Sequence, residues 1–141
     1  MSSIYRYRPH IGRSSLDLMD REGNVASLDL CEIDGWRYVS VADDAVPDVD
    51  VVIEPVTLTD ELRGAIKQLS PHCRLIKRRA EARISERYSL ADRLQIAAIA
   101  GGISNGLVEE TPGYRAMMEA YRDYVVSVNQ WAAGEYGKLG L

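Results

Sequence analysis

The sequence predicts an α+β fold, with an N-terminal antiparallel β meander followed by a C-terminal helical hairpin or three-helix unit. Up to residue 56, apolar side chains alternate in the two-residue period of strands, with turn signals between the runs. From Thr57 onward they recur at three- and four-residue steps behind Ser and Thr capping signals. The two patterns are segregated along the chain, which is the α+β arrangement and divides it into a β-rich module, 1–56, and an α-helical module, 57–141.

Ile4-Tyr5-Arg6-Tyr7-Arg8 alternates as a strand does, and Pro9, lacking a backbone donor, ends it. Tyr5 and Tyr7 share one face. Leu16 and Leu18 alternate within 15–20, and Arg21-Glu22-Gly23-Asn24 then supplies a turn in which Gly23 or Asn24 takes positive φ at little cost. The run 25–31 places Ala26, Leu28 and Leu30 on one face. Asp34-Gly35 is a hairpin turn, and 36–41 is rich in β-formers. The expectation is three antiparallel strands over 15–20, 25–31 and 36–41, with the Tyr5 strand at an edge. Past an acidic loop, 42–50, Val51-Val52-Ile53 predicts a short last strand that Pro55 closes.

A helix starts near Thr57 or Thr59, where a hydroxyl can cap free N–H groups and Asp60-Glu61 favour the positive end of the helix dipole. Leu62, Ile66 and Leu69 form its buried stripe. Ser70-Pro71 restarts a helix that runs to about residue 88, with Ile76, Ala80, Ile84 and Tyr88 on one face and Arg74, Lys77, Arg78 and Arg79 on the other. Ser89-Leu90-Ala91-Asp92 fits a capping box, with Asp in place of the usual Glu. Leu90, Leu94, Ala97 and Ala98 are expected to pack, with Ile96 and Ile99 partly buried, before Gly101-Gly102 ends the helix. After a loop over 103–110, Thr111-Pro112 opens a last helix whose stripe comprises Tyr114, Met117, Met118, Tyr121, Val125, Val128 and Trp131 or Ala132. Gly134, Gly137 and Gly140 predict a tail that frays unless a partner orders it.

At 141 residues, 46% hydrophobic and 27% charged, the chain has the composition of a folded protein and is short for a two-domain enzyme. A net charge of -4 argues against a general nucleic-acid binder, which needs a positive field to neutralise phosphates. Charges between Asp43 and Glu61 are all acidic, and those between Arg63 and Arg93 are mostly basic. Two cysteines make no disulfide framework, no apolar leader follows Met1, and no stretch reaches the roughly 20 apolar residues of a membrane span. Synthesis in a reducing cytoplasm is therefore expected, with no membrane partner. Phe is absent while there are eight Tyr, so aromatic packing rests on rings with a polar tip suited to half-wet contacts.

His72-Cys73, Cys31 and His10 supply metal-ligand types, but no C-x-x-C or H-x3-H spacing pre-positions two of them, so no metal is expected. The sequence holds no Gly-x-Ser-x-Gly elbow, and Gly101-Gly102-Ile103-Ser104-Asn105-Gly106 follows a helix and lacks the phosphate-loop lysine. Neither an enzyme nor a cofactor is expected. The run Arg74, Lys77, Arg78, Arg79, Arg83, Arg87 is the best argument for nucleic acid, yet no aromatic interleaves it before Tyr88, and Glu81 and Glu86 dilute its field. It reads instead as a solvated or partner-facing surface.

Ile84-x3-Tyr88-Ser89-x2-Asp92, then a helix, a loop, and Tyr121-x2-Tyr124-Val125-x5-Trp131, resembles the C-terminal unit of small bacteriophage tail proteins. Asp92-Arg93 stands here where that pattern has Asp-Glu. The resemblance covers about 54–141. It implies a non-enzymatic structural protein of the tail tip, baseplate or fibres, made in the host cytoplasm and carried in the virion. Its implied partners are other tail proteins and further copies of itself. Tyr5, Tyr7, Tyr121, Tyr124, Trp131, Arg78 and Arg79 are the interface candidates, because Tyr, Trp and Arg contribute most at interfaces. A tail or fibre assembly chaperone absent from the particle, and a small nucleic-acid-binding regulator using the basic helix, are the alternatives.

Overall fold

The computed structural model describes residues 1–9, 15–48 and 50–141, and among them lie a four-stranded antiparallel sheet and four helices, an α+β protein. The strands are β1 (Ser2–Tyr7), β2 (Ser27–Ile33), β3 (Trp36–Ala42) and β4 (Glu54–Pro55), in the order β2-β3-β1-β4. β2 and β3 form the expected hairpin, with Asp34 at φ 52° and Gly35 at φ 79°. Two consecutive positive φ angles match the right-handed twist of the flanking strands. In the preceding turn Gly23 takes φ 87°, and the Asp20 carboxylate accepts from the N–H groups of Glu22 and Asn24 at 2.9 and 2.8 Å. Those bonds hold the Asp20 carboxyl below its usual range, that from Asn24 most of all.

The strand set differs from the expectation in two ways. β1 is not an edge strand: it pairs with β3 on one side, Tyr5 opposite Val39, and with β4 on the other, Tyr5 opposite Pro55. The outermost position falls to β4, where Pro55 gives up no ladder bond that an interior strand would need. Residues 15–20 form no strand of the sheet. Beyond a single bridge between Met19 and Val25, their backbone is held partly by other backbone groups, the Leu18 carbonyl accepting from Ala26 N–H at 2.7 Å and the Met19 carbonyl from Val46 N–H at 2.8 Å, and partly by side chains. Leu18 N–H donates to Ser27 Oγ at 2.8 Å, Ser27 Oγ–H donates to the Leu16 carbonyl at 3.1 Å, and Leu16 N–H donates to Asp29 Oδ2 at 3.2 Å. These bonds turn Leu16 and Leu18 onto the sheet as a cover. Likewise 51–53 is not a strand, and Val51 and Ile53 pack against the same face.

Both faces of the sheet are therefore covered. Tyr7, Val39, Val41, Leu16 and Leu18 form one buried cluster, with Tyr5 packed on it. Ile4, Leu30, Tyr38 and Ile66 form the other. A bulge between Asp29 and Cys31 turns Leu30 into this second cluster, while Asp29 faces Tyr7.

The helices are α1 (Asp60–Leu69), α2 (Pro71–Arg87), α3 (Leu90–Ser104) and α4 (Pro112–Lys138). Thr59 caps α1, its Oγ1 accepting from Leu62 N–H at 3.1 Å. Thr111 caps α4 in the same way, through Tyr114 N–H at 3.1 Å. α3 continues through Gly101 and Gly102 to Ser104, one turn further than the glycine pair suggests; the turn is closed by Asn105 N–H on the Gly101 carbonyl and Gly106 at φ 73°. Gly102 is needed where it stands, because a Cβ there would meet a Val108 methyl at 2.5 Å.

By compactness the chain divides into Met1–Ile76 with Gly134–Leu141, and Lys77–Ala133. α1 belongs with the sheet because Ile66 is completely buried in the second cluster, a contribution of about 1.5–3 kcal/mol. The C-terminal tail does not fray. Leu139 and Leu141 pack into that same cluster, and Gly140 at φ 86° brings the backbone so close to Ser2 that a Cβ would lie 2.8 Å from its carbonyl oxygen.

Candidate functional site

In the unit Lys77–Ala133, the residues that carry the resemblance converge. Ser89 separates α2 from α3 with a complete capping box: Ser89 Oγ accepts from Asp92 N–H at 3.1 Å, and Asp92 Oδ2 accepts from Ser89 N–H at 3.0 Å. The aspartate is one methylene shorter than the usual glutamate, yet it closes the reciprocal pair. Tyr88, the residue before the cap, sets its ring edge-on to Tyr121 with centroids 4.9 Å apart, and tilted against Tyr124 at 5.8 Å. The Tyr124 hydroxyl donates to the Arg83 carbonyl at 2.9 Å. The Arg83 guanidinium lies 3.7 Å from the centre of the Trp131 ring, and that of Arg87 lies 4.6 Å from the centre of Tyr124. Residue 88 thus meets 121 and 124 while residue 83 meets 124 and 131, so α2 and α4 run antiparallel within this unit.

This arrangement assigns the interface candidates different places. Tyr121, Tyr124 and Trp131 are half-buried and bind α2 to α4. Arg83 and Arg87, two members of the basic run, are engaged with those rings. Arg78 and Arg79 are exposed. In the other unit Tyr7 is 3% exposed, and its hydroxyl donates to Asp29 Oδ1 at 2.9 Å. Burial first, and then that bond and the Asp29 charge, raise the Tyr7 hydroxyl well above its ordinary pKa. Tyr7 is a core residue, and Tyr5 packs beside it half-buried, so the two belong to the sheet's own packing.

Of the metal-ligand types, His10 lies outside the described residues, His72 is exposed and Cys73 is buried. Burial pushes the Cys31 thiol up to about 11 and also raises Cys73, so both stay protonated and poorly nucleophilic near neutral pH.

Two features escaped the sequence reading. Trp36 receives two guanidinium groups, Arg6 at 4.1 Å and Arg8 at 4.2 Å from its ring centre, because the β1–β3 register brings those residues together. The second is α3. Leu90, Leu94, Ala97 and Ala98 were expected to pack, but all four are exposed, Leu90 at 67% and Leu94 at 62%. The packed side of α3 is instead that of Ile96, buried, with Ile99 and Ile103 half-buried. A helix with apolar residues all round can turn either side inward, and the isoleucines are the bulkier set. The signal was in the sequence: no charged residue stands between Arg93 and Glu109.

The chain matches no protein-family model, and no curated protein or solved structure matches it. Among the described residues, no helix is long and apolar enough to cross a membrane.

Proposed function

We propose that this protein is a non-enzymatic structural protein of a bacteriophage tail, an adaptor or accessory subunit at the tail tip or baseplate that docks other tail or fibre proteins and copies of itself. One observation carries the reading. Five residues of the tail-protein pattern, Tyr88, Ser89, Asp92, Tyr121 and Tyr124, form a connected unit in which a reciprocally capped junction sits beside the Tyr88–Tyr121–Tyr124 cluster. Such a unit holds two helices at a fixed turn by local bonds and ring contacts, leaving α3 free to face another protein. This suits an assembly subunit, whose work is to present a preformed surface rather than to move. The test is a mass-spectrometric inventory of gradient-purified virions. The reading expects this chain at a stoichiometry comparable with other minor tail proteins. Its absence from particles, with abundance in the infected cell, would overturn the reading in favour of an assembly chaperone.

A further inference from the structure

The outer face of α3 is the largest contiguous uncharged surface on its helix. Leu90, Ala91, Leu94, Ala97, Ala98 and Gly101 follow one another at three- and four-residue steps, and all six are exposed. At 100° per residue they span about a third of the helix circumference over three turns. A helix in contact with water normally carries its charges on that side. Moreover, the unit that holds α3 has few other anchors: its buried apolar residues are Ala80, Ile96, Val128 and Ala132.

We infer that a second copy of this chain covers the face, with the two α3 helices packed antiparallel about a two-fold axis. The sizes of the side chains select the occupant and its direction. The large residues, Leu90 and Leu94, lie in the N-terminal half, and the small ones, Ala97, Ala98 and Gly101, in the C-terminal half. Antiparallel pairing puts Leu90 against the partner's Gly101 and Leu94 against the partner's Ala97, so each bulge meets a hollow twice, once on either side of the axis. A parallel pair would oppose leucine to leucine at one end and leave a gap at the other, with the helix dipoles aligned unfavourably. None of the six α3 residues of this face is charged, and the charged side chains that border it beside Ala97 (Arg93, Glu110, Arg115, Glu119 and Arg122) are of both signs. Fifteen residues of helix reach roughly 22 Å. A contact of that length covers about half of the ~800 Å² per partner found in stable complexes. The dimer is accordingly weak, dissociating at about 10–100 μM, a range that the local concentration within an assembly exceeds.

This gives the homo-oligomer of the preceding section its surface and rests on that section only for its place in a tail. The test uses the purified full chain, so its failure and that of the virion inventory are separate. Sedimentation equilibrium from about 1 μM to about 1 mM brackets the expected affinity. The expected result is a mass rising from the monomer's 15.7 kDa toward twice that value. Leu94→Glu should weaken association at least ~100-fold by burying an unpaired charge. Ala97→Leu should do the same by filling the hollow, with helix content unchanged by circular dichroism because both residues are good helix formers. Combining Leu94→Ala with Ala97→Leu in one chain should restore the dimer, since bulge and hollow have merely changed places. A monomer throughout the concentration range, or a dimer indifferent to both single substitutions, would overturn the proposal and leave the face to a different protein.

Discussion

Tyr88 is the point at which the α2–α3 junction is tied to α4, and its removal has a calculable cost. Tyr88→Ala deletes a half-buried ring and both of its aromatic contacts, at 4.9 Å to Tyr121 and 5.8 Å to Tyr124. Full burial of an aromatic ring makes its truncation cost about 3–5 kcal/mol, and a half-buried ring loses about half of that. Ring pairs are worth a further ~0.5–1.5 kcal/mol each, part of which the truncation figure already contains. The expected loss is about 2–3 kcal/mol. Tyr88→Phe keeps the ring and its contacts and should stay within about 0.5 kcal/mol of the parent. Urea unfolding followed by far-ultraviolet circular dichroism measures both, since helix loss dominates the signal. A loss below about 0.5 kcal/mol for Tyr88→Ala, or an equal loss for Tyr88→Phe, would show that the ring cluster does not hold this unit together.

Three further perturbations separate the other contacts. Ser89→Ala and Asp92→Ala should each cost about 1 kcal/mol, and the double variant less than their sum, because the two hydrogen bonds of the box are reciprocal; additive losses in thermal melts would contradict this. Tyr7→Phe should cost about 1–2 kcal/mol by removing a buried donor from Asp29. Because the folded state raises the Tyr7 pKa, the protein holds that proton where the unfolded chain, with a pKa near 10, releases it. The associated stability is complete below about pH 10 and falls as pH rises above it, by up to ~1.4 kcal/mol per pH unit, and Tyr7→Phe should flatten that slope in urea titrations at alkaline pH. Gly140→Ala should cost about 1–3 kcal/mol, since φ 86° and the nearby Ser2 carbonyl both oppose a Cβ; an unchanged melting temperature would mean that the tail is not seated on the sheet.

Local signals in the sequence located most of the elements. Ser89 and Thr111 each announced a helix start, and of Thr57 and Thr59 the structure selects Thr59, because capping depends on a side chain bonding its own next turn. Asp34-Gly35 announced the hairpin for the same reason: the turn type follows from two residues. Long-range features were not legible. Whether 15–20 pairs as a strand or lies over the sheet depends on Ser27 and Asp29 accepting its N–H groups, and alternation of Leu16 and Leu18 is compatible with either. The glycine-rich tail read as frayed because nothing local shows Leu139 and Leu141 reaching the sheet. On α3, periodicity could not choose between two apolar sides, and the structure buries the isoleucines and leaves Leu90 and Leu94 bare. Of the interface candidates, Tyr7, Tyr121, Tyr124 and Trp131 make contacts within their own units, whereas Arg78 and Arg79 are exposed.

The central claim is that this chain meets a second copy through the bare side of α3, and hydroxyl-radical footprinting tests it most directly. Labelling of Leu90 and Leu94 should fall as the purified protein is concentrated through its association range, while Tyr121 and Tyr124, already engaged with Tyr88, should label at a constant rate. Constant labelling of the two leucines, or protection that falls on the tyrosines instead, would contradict it.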